Sequence, residues 1–271
     1  MLGLAGMDSP RLRGQGRGRY IGRTLSDTMT RSMTSIDYNA QLETLFAGCR
    51  IGGQAFLPLY RRAISKTKTD VPEWKVYRRA LRAFFLAQFF QRSLGVEGHF
   101  VECGVFNGFS AYLLRQLMEA SQSAPKEFHL VDSFEGLSEP VDKDRVLIDE
   151  TLHESAYKQG HFKVDLEDVY ARFSGLEQIY WHKGWIPEVL AELPERSWAF
   201  VHIDVDLYEP TKTALEHFLP RMSPGGIIVN DDFASPGFPG AGQAWREVLE
   251  SQNLPYIALD SGQAIYIHEN P

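Results

Sequence analysis

Apolar runs alternate with amphipathic segments from residue 99 onward, and each run has the length of a buried strand. The predicted strands are 99–103, 128–131, 178–182, 198–204 and 227–230, followed by a hairpin of 256–259 and 264–268 that turns at Ser261-Gly262. Helical periodicity predicts helices at about residues 110–121, 145–157, 166–173, 186–191, 210–218 and 243–252. This alternation favours an α/β fold, a mainly parallel sheet covered by helices on both faces, with its last strand inserted antiparallel.

The region before the first strand has a different pattern. Residues 38–95 read as helical without strand alternation, and the segments 38–46 and 74–94 carry apolar residues at three- and four-residue spacing. We interpret these helices as a lid or an oligomer contact. Residues 1–35 are rich in arginine and glycine and lack periodicity, so we expect them to be disordered rather than a functional RNA-binding or targeting arm. The predicted division is therefore 1–35, 36–97 and 98–271.

Charge and composition narrow the class of protein. The 271 residues carry a net charge of −7, but residues 1–35 hold six arginines against two aspartates, which leaves the remainder more acidic still. An acidic body disfavours a nucleic-acid partner. Two cysteines form no disulfide framework, and no apolar stretch is long enough to span a bilayer. With no signal-peptide pattern in the sequence, we expect a cytoplasmic enzyme.

Acidic side chains lie at or just after the ends of four of the predicted strands. Glu102 is the next-to-last residue of the first, and Asp132 follows the second. Asp204 is the last residue of the fourth, with Asp206 two positions on, and the pair Asp231–Asp232 follows the fifth. Because the carboxyl ends of parallel strands meet in one crevice, these carboxylates should converge there. Clustered buried carboxylates need a cation or hydrogen-bond donors to offset them. The pattern predicts a ligand with hydroxyl groups near the first two positions and a divalent metal near the last two.

The first two acidic positions flank a glycine loop. Gly104 and Gly108 allow a sharp turn and close backbone approach, but their spacing is neither a dinucleotide fingerprint nor a phosphate loop, and an ordinary strand-to-helix turn is the alternative. Glu102 is placed to accept from an ammonium or a main-chain group. Asp132 is suited to accept both hydroxyls of a ribose, and the alternative is a cap for the turn that comes after it.

Asp204, Asp231 and Asp232 form the predicted metal set. Three carboxylates in an open site suit Mg²⁺ better than zinc, because hard cations prefer oxygen ligands. No zinc set is apparent, since the histidines at 153, 161 and 182 are scattered and cysteines are scarce. Solvated loop carboxylates are the alternative.

At these residues the chain resembles the macrocin O-methyltransferase (TylF/MycF-like) family of class I S-adenosylmethionine-dependent enzymes. The resemblance spans about residues 98–268 and is carried by Val101–Gly108, Val131–Leu137, Ile203–Thr211 and Gly225–Phe233. It implies a Rossmann-like, seven-stranded methyltransferase sheet, S-adenosyl-L-methionine and Mg²⁺ as cofactors, and methylation of a hydroxyl on a sugar or glycosylated natural product. A homo-oligomer is also expected.

The resemblance also implies roles for individual residues. Glu102, Gly104 and Gly108 would contact the amino acid part of the donor, Asp132 its ribose, and Ser133 with Gly184 and Trp185 its adenine. Asp204, Asp231 and Asp232 would bind the metal, Asp204 adjoining the donor as well, and Asp206 would be the catalytic base.

Two departures affect these roles. Val205 stands where the family commonly has glycine, and Leu207 stands where related catechol-type enzymes have a lysine, which counts against a lysine base. His153 and His161 are alternative bases. Three other functions remain open: an inactive S-adenosylmethionine-binding protein, a methyltransferase for phenolic hydroxyls, and a nicotinamide-dependent oxidoreductase, the last disfavoured by the missing third glycine.

Overall fold

A seven-stranded mixed sheet forms the centre of the part of the chain that the structure describes. The structure is a computed structural model, and it describes residues 37–121, 125–148, 151–153 and 157–269. Its strands are β1 Arg50–Ile51, β2 Gln54–Ala55, β3 His99–Cys103, β4 Phe128–Asp132, β5 Val146–Ile148, β6 Thr151–His153, β7 Ile179–Lys183, β8 Trp198–Ile203, β9 Met222–Asn230, β10 Ile257–Ala258 and β11 Ala264–Ile267. Its helices are α1 Tyr38–Phe46, α2 Phe56–Thr67, α3 Val76–Ser93, α4 Phe109–Ala120, α5 Leu166–Arg172, α6 Glu188–Ala191, α7 Tyr208–Phe218 and α8 Pro239–Ser251.

The strand order is β10-β11-β9-β8-β3-β4-β7, and only β11, next to one edge, runs antiparallel to the other strands. The predicted parallel sheet with an inserted antiparallel strand is confirmed. The register aligns the strand ends, since Cys103 pairs with both Val131 and Ile203, and Ile203 pairs with Asn230. The residues directly after these ends therefore start from one level of the sheet.

Apolar side chains cover both faces of the sheet. On one face Phe100, Phe128 and Phe200 pack in a cluster that includes residues of α1–α4. On the other, Val101 and Val201 alternate with them along the strands and pack in a cluster with residues of α7 and α8. The structure thus has the predicted layers of helix, sheet and helix.

The helices before β3 belong to the same core. The ring of Phe90 on α3 lies 4.8 Å from that of Phe100 and 5.0 Å from that of Phe200, both on sheet strands. From Tyr38 onward the contacts group the chain into one unit. Residues 1–36 lie outside the part of the chain that the structure describes, so the disorder of residues 1–35 stays a prediction.

Two local predictions were wrong. The region 38–95 contains a β-hairpin, β1–β2, whose two-residue turn is Gly52-Gly53 with φ of 53° and 81°. Paired glycines favour this turn because both central residues need positive φ. The stretch predicted as a helix over 145–157 instead forms the antiparallel pair β5–β6, which places β-branched residues where strands prefer them.

Among the described residues, no helix is both long enough and apolar enough to cross a bilayer.

Candidate active site at the carboxyl ends of the strands

A cavity of about 600 Å³ opens where β3, β4, β8 and β9 end. This volume lies within the range of small-molecule sites. The glycine loop after β3, the loops after β4, β8 and β9, and one face of α3 line it. Nine predicted site residues reach its wall: Gly104, Asp132, Ser133, Gly184, Trp185, Asp204, Asp206, Asp231 and Asp232.

Four predicted site residues do not line the cavity: Glu102, Gly108, His153 and His161. His153 is exposed on β6, and His161 is exposed with its Nδ1 accepting from the backbone N–H of Lys158 at 3.3 Å. The structure therefore does not bring either histidine to the position of a base.

Asp132 holds the glycine loop in place. Its Oδ2 accepts from the backbone N–H groups of Val105 (2.7 Å) and Phe106 (2.8 Å), and its Oδ1 accepts from that of Phe134 (2.6 Å). A carboxylate has about four acceptor positions. Three are used by the backbone, which leaves Oδ1 able to accept from one further donor inside the cavity.

The two loop glycines have different roles. Gly104 has a φ of 89°, and a Cβ there would collide with the main-chain oxygen of Asp204, so only glycine lets the loop pass the end of β8. Gly108 has a φ of 84°, and a Cβ there would lie 2.6 Å from the ring of Phe173. Gly108 is thus needed for packing beneath the cavity rather than at its surface.

Glu102 lies behind the cavity wall. Its side chain is fully buried, and its Oε1 is 2.8 Å from Nδ1 of His202 on the neighbouring strand. The other imidazole nitrogen of His202 lies 3.6 Å from Oδ1 of Asp231. These two carboxylates raise the pKa of His202 to about 10, against the effect of burial. An imidazolium therefore links Glu102 to the acidic cluster.

The surface expected to hold an adenine contains a half-exposed indole. Trp185 follows Gly184, whose missing side chain makes room for Val189 of α6. The Ser133 hydroxyl is engaged in a turn: it donates to the main-chain oxygen of Gly136 and accepts from the N–H of Glu135, both at 3.1 Å.

The four aspartates form two groups of metal-ligating size that share Asp204. In one, atoms of Asp204, Asp206 and Asp232 all lie within 4.8 Å of one another; in the other, Asp204 and Asp231 are joined by His202. The predicted set of Asp204, Asp231 and Asp232 is thus divided between two groups. Asp206 joins the all-carboxylate group, which carries the oxygen ligands that Mg²⁺ prefers.

Asp231 is already paired. Its Oδ1 accepts from Nε2 of Gln263 at 2.7 Å, and Nη2 of Arg82 donates to its Oδ2 and, at 2.6 Å, to its main-chain oxygen. Arg82 also lies 3.2 Å from Oδ1 of Asp232. Although burial opposes ionisation, Arg82 and then His202 hold the pKa of Asp231 below its usual value.

The pKa values of Asp204 and Asp206 shift in the opposite direction. Burial, followed by repulsion from Asp231 and Asp232, raises the pKa of Asp204; burial and the charge of Asp232 do the same for Asp206. Among the described residues, the buried Oδ2 of Asp232 has no hydrogen-bond partner. A divalent cation at this group would relieve the repulsion and satisfy that oxygen.

Sequence reasoning missed the contribution of α3. Lys75, just before the helix, and Arg78, Arg79 and Arg82 on it line the cavity. Their spacing of three and four residues was the available signal, because such positions share one helical face. His202 was also missed; it shares a strand face with Asp204, two residues on.

Aromatic rings line another part of the cavity. Tyr157 stacks on Phe238 with ring centroids 4.4 Å apart, and Phe106 contacts Phe162 at 5.7 Å. Phe106 and Phe162 are 42% and 40% exposed. This wall offers apolar contact to a flat or weakly polar group.

Comparison with known proteins yields one family. The model of the macrocin-O-methyltransferase (TylF) family matches residues 85–266, which is more than half of the chain. A 4'-O-methyltransferase of 8-demethyl-8-(2,3-dimethoxy-alpha-L-rhamnosyl)-tetracenomycin-C from Streptomyces olivaceus is 38% identical over 146 residues, which cover 52% of this chain and 54% of that protein. The mycinamicin III 3''-O-methyltransferase of Micromonospora griseorubida is 28% identical over 158 residues, covering 56% and 62%. The chain thus spans little more than half the length of these curated relatives.

The solved structure of CalS11, a calicheamicin methyltransferase, is similar with a TM-score of 0.59 at 24% identity. The match covers 78% of this chain and 91% of CalS11. This similarity shows that the two chains share the class I methyltransferase fold.

Proposed function

Because the chain belongs to the macrocin O-methyltransferase (TylF) family, we propose that it transfers a methyl group from S-adenosyl-L-methionine to a hydroxyl of a sugar or glycosylated natural product. One observation carries this proposal: a single cavity joins the glycine loop fixed by Asp132 to the carboxylates of Asp204, Asp206 and Asp232. Gly104 packs against the backbone of Asp204, so the two halves are in contact.

The donor would lie against the glycine loop. The free acceptor position of Asp132 suits one ribose hydroxyl rather than two, and the indole of Trp185 offers a surface for the adenine. The donor supplies an electrophilic methyl group on a sulfonium. In the reaction the bond from sulfur to carbon breaks, the acceptor oxygen forms the new bond to carbon, and the hydroxyl proton leaves to a base.

Asp204, Asp206 and Asp232 are the residues that would hold Mg²⁺, and Asp231 would support them through Arg82 and His202. When bound, the cation would lower the pKa of an acceptor hydroxyl and orient its oxygen. Asp206 is also the candidate base: burial and the charge of Asp232 raise its pKa, which favours proton uptake. A cation bound to the same carboxylate would lower that pKa again, so the two roles are alternatives for this residue. Its φ of 63° turns the chain out of the strand at this point, so alternation along β8 does not direct it away from Asp204.

Donor recognition is tested by thermal-shift titration of the full chain with S-adenosylhomocysteine and, separately, with NAD. We expect stabilisation by S-adenosylhomocysteine alone. Stabilisation by NAD alone would refute the proposal in favour of an oxidoreductase.

The acidic group is tested with Asp232→Asn. We expect methyl transfer to fall about 10²- to 10³-fold, because electrostatic support of the developing charge is lost, while the affinity for S-adenosylhomocysteine stays within about twofold of wild type. Asp168→Asn on the exposed face of α5 is the matched control and should be fully active. Undiminished turnover in excess chelator would disprove the metal assignment.

A further inference from the structure

The glycine loop contains a residue in an unfavourable backbone conformation. Its turn, Val105–Gly108, is closed by the N–H of Gly108, which donates to the main-chain oxygen of Val105 at 2.8 Å. Phe106, the second residue of this turn, has a φ of 48°. A bulky side chain disfavours positive φ, so such a conformation persists only where surrounding contacts fix the main chain. We therefore expect the contacts around the loop to control its shape.

Asp132 fixes the first half of the loop, and Asn107 fixes the second half. The Oδ1 of Asn107 accepts from the N–H of Phe109 at 3.2 Å, and its main-chain oxygen accepts from Nη1 of Arg172 at 2.9 Å. Its Nδ2 donates to Oγ1 of Thr69 at 3.0 Å. Because an amide oxygen must face the N–H of Phe109, the orientation of the amide is fixed and its NH₂ group faces Thr69.

Thr69 belongs to the helices before β3 and lies two residues after the end of α2. Its hydroxyl is 2.6 Å from that of Thr67, which donates to the main-chain oxygen of Ala63 at 2.8 Å. Each hydroxyl has a single hydrogen and Thr67 uses its own on Ala63, so the hydroxyl of Thr69 must donate to Thr67. The hydrogen bonds therefore run in one direction from Asn107 to α2. Thr67 and Thr69 are 1% and 9% exposed, so the loss of a link leaves a buried polar group unpaired.

Thr69 can influence the cavity through Asn107. Asn107 lines the cavity, whereas Thr69 is not among its lining residues. Among the described residues, the backbone N–H of Asn107 makes no hydrogen bond, so it remains able to donate to a ligand. The link from Nδ2 to Thr69 fixes the residue that carries this N–H. A change at Thr69 would thus act on the loop without removing an atom that a ligand in the cavity contacts.

We propose that Thr69 is a positioning residue for the methyl donor. Through Asn107 it holds the second half of the glycine loop in the shape that receives the amino acid part of S-adenosyl-L-methionine. A loop that is already ordered loses less conformational freedom when the donor binds, so the link raises donor affinity. This inference rests on the proposed function and adds to it a residue that lies outside the sheet and its cavity.

Calorimetric titration of the full chain with S-adenosylhomocysteine tests the inference. Thr69→Val keeps the shape of the side chain and removes the hydroxyl, so we expect the dissociation constant to rise about tenfold. Thr69→Ser keeps the hydroxyl and should bind within about twofold of wild type.

Ser93→Ala is the matched control. It removes a buried hydroxyl of α3 that donates to the main-chain oxygen of Phe90 at 2.8 Å and does not line the cavity. A merely structural effect of losing a buried hydroxyl would be common to Ser93→Ala and Thr69→Val. We expect Ser93→Ala to bind S-adenosylhomocysteine like wild type.

Two further measurements separate positioning from a general loss of structure. In the Asn107→Ala background, Thr69→Val should cause no further loss of affinity for S-adenosylhomocysteine, because Thr69 acts through Asn107. Methylthioadenosine lacks the amino acid part of the donor, so Thr69→Val should bind it within about twofold of wild type.

The outcomes are distinguishable. Wild-type affinity of Thr69→Val for S-adenosylhomocysteine, failure of Thr69→Ser to restore it, or an equal loss of affinity for methylthioadenosine would overturn the inference and leave the proposed function intact. If Thr69→Val does not fold, Asn107→Ala with both threonines kept is the deciding variant: a rise of about tenfold or more in the dissociation constant supports the inference, and wild-type affinity overturns it. Failure of the wild type to bind S-adenosylhomocysteine would overturn both proposals.

Discussion

Within the acidic cluster, some carboxylate oxygens accept hydrogen bonds from neighbouring side chains and others do not. Arg82 and Gln263 occupy both carboxylate oxygens of Asp231, whereas the Oδ2 of Asp232 is buried without a partner among the described residues. Arg82 therefore acts as a fixed cation beside the place proposed for a mobile one. The guanidinium of Arg82 and a divalent ion would both neutralise the carboxylate of Asp232. Removing one should therefore change how strongly the other stabilises the fold.

Arg82→Met should lower the free energy of unfolding by about 3 kcal/mol, since it leaves buried carboxylates unpaired. Mg²⁺ should recover part of that loss and should stabilise the variant more than it stabilises wild type. Urea denaturation with EDTA and with Mg²⁺ measures both effects.

Arg92→Met on the same helix is the control and should change stability by less than about 0.5 kcal/mol. Equal stabilisation of wild type and Arg82→Met by Mg²⁺ would mean that the guanidinium and the cation do not share carboxylates.

At the scale of elements, a histidine pair joins the strands at one edge of the sheet. His129 on β4 is 2% exposed; its Nδ1 lies 2.9 Å from Nε2 of His182 on β7, and its Nε2 lies 3.1 Å from Oε2 of Glu127. Arg196, before β8, lies 3.0 Å from the same carboxylate oxygen of Glu127. Burial lowers the pKa of His129 to about 4, so the imidazole is neutral in the folded protein.

Because His129 is buried in its neutral form, we expect the free energy of unfolding to decrease in mild acid. The unfolded chain binds a proton at His129 near pH 6.5 and the folded chain only near pH 4, so the free energy of unfolding falls as pH drops below 6.5. Between pH 7 and 4.5 the expected contribution is about 2–3 kcal/mol. The Glu127 pKa, held at about 2 chiefly by its hydrogen bond with Arg196, keeps that group ionised across this window.

Chemical denaturation at pH 7, 6 and 4.5 checks this expectation. His129→Gln should flatten the pH dependence, and His153→Gln, at an exposed position on β6, should not. A wild-type curve that is flat from pH 7 to 4.5 would contradict it.

At the largest scale, the helices before β3 contribute side chains to the same apolar core as the sheet, within the unit that begins at Tyr38. Phe90 joins α3 to the sheet by contacts with Phe100 and Phe200. The same helix turns Arg78 and Arg82 into the cavity. The helical region therefore both completes the core and forms part of the active-site wall, which couples folding of residues 38–97 to the shape of the site.

Phe90→Ala should destabilise the protein by about 3–5 kcal/mol, because it opens a cavity among three aromatic rings. We expect a single unfolding transition in wild type and variant alike, followed by far-ultraviolet circular dichroism and by tryptophan fluorescence.

Separate transitions for the two probes, or a folded fragment starting near residue 98 after limited proteolysis, would show that the helices are an independent lid domain. Tyr77→Ala, at an exposed position of α3, is the control and should lower stability by much less.

The local pattern of apolar and polar residues was enough to predict most strands of the sheet. The strands around Val101, Val131 and Ile203 were identified because a strand buried on both faces is a continuous apolar run. The positions of Asp132, Asp204 and Asp231 at the cavity could be predicted from those strands, since parallel strands end at one edge. The β5–β6 pair was mistaken for a helix because short apolar runs do not distinguish the two periods.

By itself, then, the sequence determined the layered α/β fold, the antiparallel end of the sheet and the crevice in which the carboxylates of Asp204 and Asp232 converge, because these depend on apolar runs and on the residues directly after each run. Only the tertiary structure decided that Glu102 is buried against His202, that Gly108 serves packing, and that Arg82, from a helix some 150 positions away, pairs with Asp231. These outcomes depend on which side chains of different helices and strands come into contact. Contacts between distant parts of the chain produce no local hydrophobic periodicity, so they cannot be predicted from the sequence pattern.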